Sequence, residues 1–201
     1  MSVPIPRSRP KADRETVING LIESGLWSND DVTKLSVVGV RGYYEDSMGK
    51  PGVNDRGMYD DAAFVISPET FKSFNFNTDP HSYRRGRATL ASPQRVVYIP
   101  GYHGYGRRTG HPAFRQASDV VVRRDGGTGH GKPLGGGRFK DRASARFWIN
   151  LHRGGRTTTA SAGCQTVPPA QWEEFYRLVR AELKEYEQSH FSYYLFDGPI
   201  T

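Results

Sequence analysis

The chain has 201 residues, a formal net charge of +7 and a single cysteine, so no disulfide can form within it. A chain of this length can bury a sizeable core without disulfides or metals, and it contains no apolar run as long as a membrane span or a signal-peptide core. We therefore expect a protein that is made in the cytoplasm without a signal peptide and has no integral membrane segment, and whose basic surface attracts polyanions without choosing among them.

The N-terminal part, residues 1–34, is predicted to be an extended arm and a helix that pack on the core. Three prolines in the first twelve residues favour the arm. Asp13 then has the character of an N-cap, because Val17 and Leu21 follow at helical spacing, and Gly25 is expected to close the helix. We assign no chemistry to this part.

The rest of the chain, residues 35–201, is predicted to be one domain rich in short strands. Turn residues separate these runs, which is typical of a sandwich or barrel-like core. A helix is expected after Pro168 and Pro169, with a last strand beyond it. The fold class is therefore α+β: a β-rich sandwich or barrel-like core with an N-terminal helix and a C-terminal helix. The predicted strands are 35–40, 62–66, 95–99, 113–117, 120–122, 146–151 and 191–196.

Two long connections have features of ligand-binding loops, one for a cation and one for a phosphate, but neither matches the required pattern. The first, 41–61, holds five acidic residues, but their spacing does not match an EF-hand loop. It is expected to cap the site or rest on substrate. The second contains Gly126-Gly-Thr-Gly-His-Gly-Lys132, which has the letters of a phosphate-binding loop, but Pro133 stands where Ser or Thr is required. We therefore expect no cofactor and no metal.

The segment 147–167 carries the strongest chemical signal in the chain. An apolar run ends at His152, and the only cysteine, Cys164, follows twelve residues later after a Gly- and Thr-rich loop. If 147–151 is a strand, Asn150 and His152 point to the same face, and the loop can fold Cys164 back beside the imidazole. A histidine next to a thiol stabilises the thiolate before attack and can protonate the leaving amine afterwards.

A histidine at a strand end, followed by Ser161-Ala-Gly-Cys164, resembles the catalytic signature of the L,D-transpeptidase catalytic domain family (YkuD-like). Members of this family are cysteine enzymes that act on the peptide stems of the bacterial cell wall. The resemblance implies roles for four residues: Cys164 as the nucleophile, His152 as the base, Gly163 in the nucleophile's turn, and Arg153 as the source of the backbone carbonyl that holds the imidazole tautomer.

The resemblance covers roughly a tenth of the chain. The family usually has a longer spacer, a second histidine where Ala162 stands, and other residues where Gln165 and Thr166 stand. Two flanking stretches, 123–126 and 168–172, also look like small bacteriophage-encoded murein peptidases.

Together these likenesses imply an L,D-transpeptidase-like fold and a catalytic domain at 35–201. The implied activity is that of a cysteine-dependent murein peptidase of the endolysin type, which cleaves or exchanges an L,D peptide bond through an acyl-enzyme. Backbone amides near Gly163 and Cys164 are expected to hold the oxyanion. The implied partner is the peptidoglycan stem peptide, reached after release or delivery of a monomeric protein to the cell wall.

Five further residues are candidates for substrate binding. Ser161 can donate to substrate or hold the turn, and Asn150 can orient the imidazole of His152. His103 and Tyr102 lie in a glycine-spaced aromatic stretch that suits contacts to a sugar or a peptide carboxylate. Arg156 can pair with a stem carboxylate.

Two alternatives remain open. The first of them is a metal-dependent murein peptidase, for which zinc ligands can come from His103, His111, His130, His152 and Cys164, although no histidine pair has a recognised short ligand spacing. The chain can also be a non-enzymatic basic module that binds cell wall or nucleic acid. No helix-turn-helix, zinc-finger or RNP-like signature supports nucleic acid, so we expect no nucleic-acid partner.

Overall fold

The computed structural model describes residues 2–27, 33–104, 106–126, 142–143 and 147–200. Within these ranges the chain forms two α-helices and eleven β-strands. The helices are α1 (Arg14–Glu23) and α2 (Pro169–Glu185). The strands are β1 (Ser36–Arg41), β2 (Asp61–Ile66), β3 (Phe71–Phe76), β4 (Ala88–Leu90), β5 (Gln94–His103), β6 (His111–Gln116), β7 (Val120–Arg124), β8 (Arg142–Ala143), β9 (Leu151–Arg153), β10 (Gln165–Val167) and β11 (Phe191–Asp197).

Eight strands form one mixed sheet in the order β10-β9-β6-β5-β11-β1-β2-β3. The two edge strands approach each other, because the backbone of Asn77, just after β3, exchanges two hydrogen bonds of 2.9 Å with Thr166 in β10. This bridge brings the sheet close to a closed barrel, which leaves few unpaired edge groups. The predicted α+β class with a barrel-like core and two helices is confirmed at this level.

Helix α1 begins where the sequence indicates. The Asp13 side chain accepts a hydrogen bond of 2.9 Å from the Thr16 amide, which caps the first turn. Val17 and Leu21 are buried in one cluster with Val38 and other apolar residues on the outer face of the sheet. The N-terminal helix therefore covers the outer face of the sheet.

Helix α2 covers the opposite, inner face. It starts at Pro169, a position where a missing amide proton costs no helical hydrogen bond. Its buried residues Trp172, Phe175, Val179 and Leu183 belong to the core cluster that also contains the inward-facing aromatic residues Phe74, Phe76, Phe114, Phe191 and Tyr193 of β3, β6 and β11. No helix in the described part of the chain is long and apolar enough to cross a membrane.

The strand predictions are correct for most of the sheet and wrong near the site. Residues 147–150 are not a strand, and β9 begins only at Leu151. Strand β3 was not predicted, because Lys72, Ser73 and Asn75 interrupt its apolar pattern. The segment that has the letters of a phosphate-binding loop, 126–132, lies outside the described residues except for Gly126.

A smaller sheet, β4-β7-β8, stands beside the barrel. It pairs Ala88 with Arg124, and so joins two basic parts of the chain, 84–87 and 123–124. The long connection after β1 is predicted to cap the site. Its last acidic residues, Asp60 and Asp61, are buried, and Asp61 accepts hydrogen bonds from the Gly42 and Thr78 amides.

Candidate active site

Two parallel strands bring His152 and Cys164 together. His152 lies in β9, opposite Thr166 of β10, and Cys164 lies immediately before β10. Because paired parallel strands run in the same direction, the loop that leaves the end of β9 must run back to the end of the pair at which β9 begins, and it delivers Cys164 there. One ring nitrogen of His152 and the sulfur of Cys164 consequently lie within 4.8 Å of each other.

The His152 imidazole is held in one tautomer. Its Nδ1 lies 2.8 Å from the Arg153 carbonyl oxygen, which can only accept, so the proton is on Nδ1. Its Nε2 is therefore a lone-pair acceptor, and this atom is buried without a hydrogen-bond partner. The arrangement agrees with the roles that the family likeness implies for His152 and Arg153, and it leaves Nε2 available for a proton from a neighbouring thiol.

The thiol and the imidazole are both neutral at rest. Burial raises the pKa of the Cys164 thiol to about 11, against a smaller lowering effect of the Asn150 backbone amide. Burial and the neighbouring His103 lower the pKa of His152 to about 3. Burial of both groups thus favours the neutral pair over the expected thiolate in the resting protein, because little solvent reaches either group to support a charge.

His103 is the second imidazole of the site. Its ring stacks on that of His152, with centroids 3.9 Å apart. The Asn150 side-chain oxygen accepts from the Gln116 amide at 3.2 Å, so its amino group faces His103 Nδ1 at 3.3 Å. Asn150 thus contacts His103 and not His152, because it precedes β9 and does not share the strand's alternation.

The turn before Cys164 is built from Ser161 and Gly163. The Ser161 hydroxyl donates to the Cys164 carbonyl at 2.7 Å and accepts from the Gly163 amide at 3.0 Å. Gly163 has a φ of +137°, and a Cβ there would lie 2.3 Å from the Ala88 carbonyl oxygen. The serine therefore holds the turn, and the Gly163 amide expected to serve an oxyanion is already engaged, which leaves the Cys164 amide as the candidate donor.

Trp148 marks the mouth of the site with a strained backbone. Its φ is +68°, a value that a bulky residue rarely adopts, and its side chain is 48% exposed. The Cys164 sulfur lies 3.5 Å from the Trp148 carbonyl oxygen, and the Arg115 guanidinium lies over the indole at 5.0 Å. Such strain persists where the surroundings impose it, and here the Ile149 amide and carbonyl are both bound by side chains of the sheet.

Cys164 opens into a surface groove of about 540 Å³. Cys164 is one of the residues that line this groove, although only 9% of the residue is exposed. Arginines dominate the polar part of the lining, and they come from the smaller sheet and the segment before it. The four arginines of the groove are Arg84, Arg85, Arg87 and Arg124.

Sequence reasoning missed this groove. The run 84–87 is visible in the sequence as a basic group, but Arg87 lies 77 positions before Cys164. Arg124 comes beside this run only because β4 pairs with β7. His111, which the sequence analysis considered only as a zinc ligand, lies beside the site, with its ring 5.5 Å from that of His152. It is placed there by the β5–β6 hairpin, which pairs it with His103.

The remaining predicted residues lie further out. Tyr102 is exposed on the β5–β6 hairpin, where its hydroxyl donates to the Gly110 carbonyl at 3.0 Å. Arg156 lines a separate, more apolar groove with Val3, whose amide donates to the Arg156 carbonyl. The Arg153 side chain is exposed, and its backbone carbonyl is the part that contacts His152. The structure thus does not bring Arg156 to the groove that contains Cys164.

Comparisons of the chain with protein-family models, with curated proteins and with solved structures find no match. The likeness to the L,D-transpeptidase signature therefore rests on the residues around His152 and Cys164 alone.

Proposed function

We propose that the protein is a cysteine-dependent acyl-transfer enzyme that acts on peptide stems of peptidoglycan. The observation that carries the proposal is the buried, unpartnered Nε2 of His152, on an imidazole whose nitrogen lies within 4.8 Å of the Cys164 sulfur. A buried acceptor without a partner costs free energy, of order 1 to 3 kcal/mol, so its retention favours a catalytic use.

The neutral resting pair determines how the reaction starts. Because neither group is charged, the Cys164 sulfur attacks the substrate carbonyl as its proton moves to His152 Nε2. The Arg153 carbonyl, which accepts from Nδ1, stabilises the imidazolium that results. A bound substrate that covers the groove excludes water from the site. The proton then passes directly from the sulfur to Nε2 without exchange with solvent.

The tetrahedral intermediate then collapses. Its oxyanion is placed near the Cys164 amide, and the imidazolium returns its proton to the departing amine. The C–N bond breaks, a thioester remains on Cys164, and water or a second amine resolves it. With water the reaction is hydrolysis, which suits a lytic enzyme of the bacteriophage type, and with an amine it is exchange.

The arginine groove supports an anionic substrate. Peptidoglycan stems carry free carboxylates, and guanidinium groups bind carboxylates with paired, charge-assisted hydrogen bonds. Arg84, Arg85 and Arg124 lie in the same groove as Cys164, so they can hold a stem while its amide faces the sulfur. The choice of an L,D bond rests on the family likeness alone.

The test is digestion of purified peptidoglycan in metal-free buffer, followed by mass spectrometry of the released muropeptides. We expect Cys164→Ala and His152→Gln to abolish cleavage, while His190→Ala, at an exposed histidine next to Ser189, leaves it unchanged. A thioester adduct on Cys164 identifies the bond that is cut. Stem cleavage that survives in the Cys164→Ala protein would refute the proposal.

A second candidate is a non-enzymatic module that uses the same arginines to bind an anionic polymer. The four arginines around one groove favour it, since they suffice for binding without any use of the thiol. Sedimentation with cell wall, without release of muropeptides and without loss of binding in Cys164→Ala, would support this candidate instead.

A further inference from the structure

Three metal-binding donors converge at the site from separate parts of the chain. His103 ends β5, His152 lies in β9, and Cys164 precedes β10. One donor atom from each lies within 4.8 Å of the others. For two nitrogens and one sulfur around a tetrahedral zinc ion, the donor atoms are about 3.3 to 3.5 Å apart, given Zn–N near 2.0 Å and Zn–S near 2.3 Å. Closing this set around a cation therefore takes side-chain movements on the order of 1 Å together with a rotation of the His103 ring, which is stacked on that of His152 with the ring planes 18° apart.

The His152 imidazole already has the orientation of a metal ligand. Histidines that bind metals almost always donate their other ring N–H to a carboxylate, a carbonyl or water. His152 does so with the Arg153 carbonyl, and its Nε2 is buried without a partner. His111 repeats the pattern beside it: its Nδ1 lies 3.0 Å from the Thr109 carbonyl oxygen, and its Nε2 is also buried without a partner. The neighbourhood therefore offers a further imidazole lone pair.

The chemistry of the donors selects the class of cation. Two imidazoles and one sulfur suit a borderline or soft ion such as Zn²⁺ and do not suit Mg²⁺ or Ca²⁺, which require oxygen ligands. A metal–sulfur bond requires the thiolate, so the Cys164 thiol must lose its proton on binding.

We propose that His103, His152 and Cys164 bind a divalent cation of the Zn²⁺ class, and that the bound cation blocks the thiol. The cation holds Cys164 as a thiolate and occupies Nε2 of His152, the two atoms that acyl transfer requires. Binding itself does not depend on the proposed function, whereas inhibition rests on it.

The direct test is a titration of the metal-free protein with Co²⁺, a spectroscopic substitute for Zn²⁺. We expect a thiolate-to-cobalt charge-transfer band that saturates at one equivalent and disappears when Zn²⁺ is added. Cys164→Ser should lack the band. His103→Ala should weaken Zn²⁺ binding, measured against a chromophoric chelator, by more than about 100-fold, because loss of an outer-shell partner alone costs about 10- to 100-fold.

Two controls separate metal binding from misfolding. His190→Ala, at an exposed histidine, should bind Zn²⁺ as the parent protein does. The second control uses the parent protein, in which no substitution can disturb folding. There, Zn²⁺ should slow alkylation of Cys164 by iodoacetamide, and a chelator should restore the rate.

The absence of a charge-transfer band in the parent protein would overturn the proposal, as would a band of equal strength in Cys164→Ser. Muropeptide release that increases with Zn²⁺ would overturn the inhibitory role. Failure of the acyl-transfer proposal has a different signature, namely no muropeptides and no thioester in metal-free buffer, whatever the cobalt spectrum shows.

Discussion

Replacement of Gly163 by alanine tests the nucleophile's turn most directly. The backbone there has a φ of +137°, which L side chains rarely adopt, and the new Cβ would lie 2.3 Å from the Ala88 carbonyl oxygen. A strained backbone of this kind costs about 1 to 3 kcal/mol, and an overpacked contact adds about 1 to 3 kcal/mol. Because the obstructing atom belongs to the backbone of β4, it cannot rotate away. We therefore expect a loss of about 4 kcal/mol in the free energy of unfolding.

Gly52→Ala is the matched control. Gly52 also has a positive φ, +70°, but a Cβ there would meet nothing within 4 Å. Gly52→Ala should therefore lose only the contribution of the strained backbone, about 2 kcal/mol in the free energy of unfolding. In a domain of this size 1 kcal/mol shifts the melting temperature by roughly 2 to 4 °C, so the melting temperatures of the two variants should differ by about 4 to 8 °C in a calorimetric scan. Equal losses for the two variants would refute the predicted collision between Gly163 and Ala88.

Two further predictions concern the charges of the site. Because the pKa of Cys164 is about 11 and that of His152 about 3, the thiol and the imidazole stay neutral between these values, and the alkylation rate of Cys164 should rise about tenfold per pH unit from pH 6 to 9. A rate that is flat over this range, with thiolate absorbance already present at pH 6, would contradict the neutral pair. Reversal of the groove charge in Arg84→Glu/Arg85→Glu should raise KM for a carboxylate-bearing stem by about tenfold or more, while kcat changes less, since the groove no longer attracts the anion. Arg177→Glu, at an exposed arginine of α2, is the control, and an unchanged KM in the double variant would exclude the groove as the substrate site.

Local signals in the sequence were sufficient for the elements that they specify. Asp13 caps α1 because a short acceptor side chain before an apolar helical pattern satisfies the first free amides. The apolar stripe after Pro169 forms α2 because residues three and four apart share a face. The bound Nδ1 of His152 agrees with the role that the family likeness gives to Arg153.

Strand ends near the site could not be predicted in the same way. β9 has three residues and β10 has three, too few for an alternating pattern to rise above the flanking loops. Asn150 was therefore predicted to lie in the same strand as His152 and on the same face, whereas it precedes β9 and contacts His103.

The sequence by itself determined the inventory of the site: one thiol, a histidine twelve residues before it, and a small-residue turn between them. Only the tertiary structure decided that His103 stacks on His152, that arginines from β7 and the segment before β4 line the same groove as Cys164, and that burial favours the neutral forms of both reacting groups. The reason is physical, because contacts between distant segments and the exclusion of water from a side chain depend on how strands pair, and no local pattern of residues encodes that pairing.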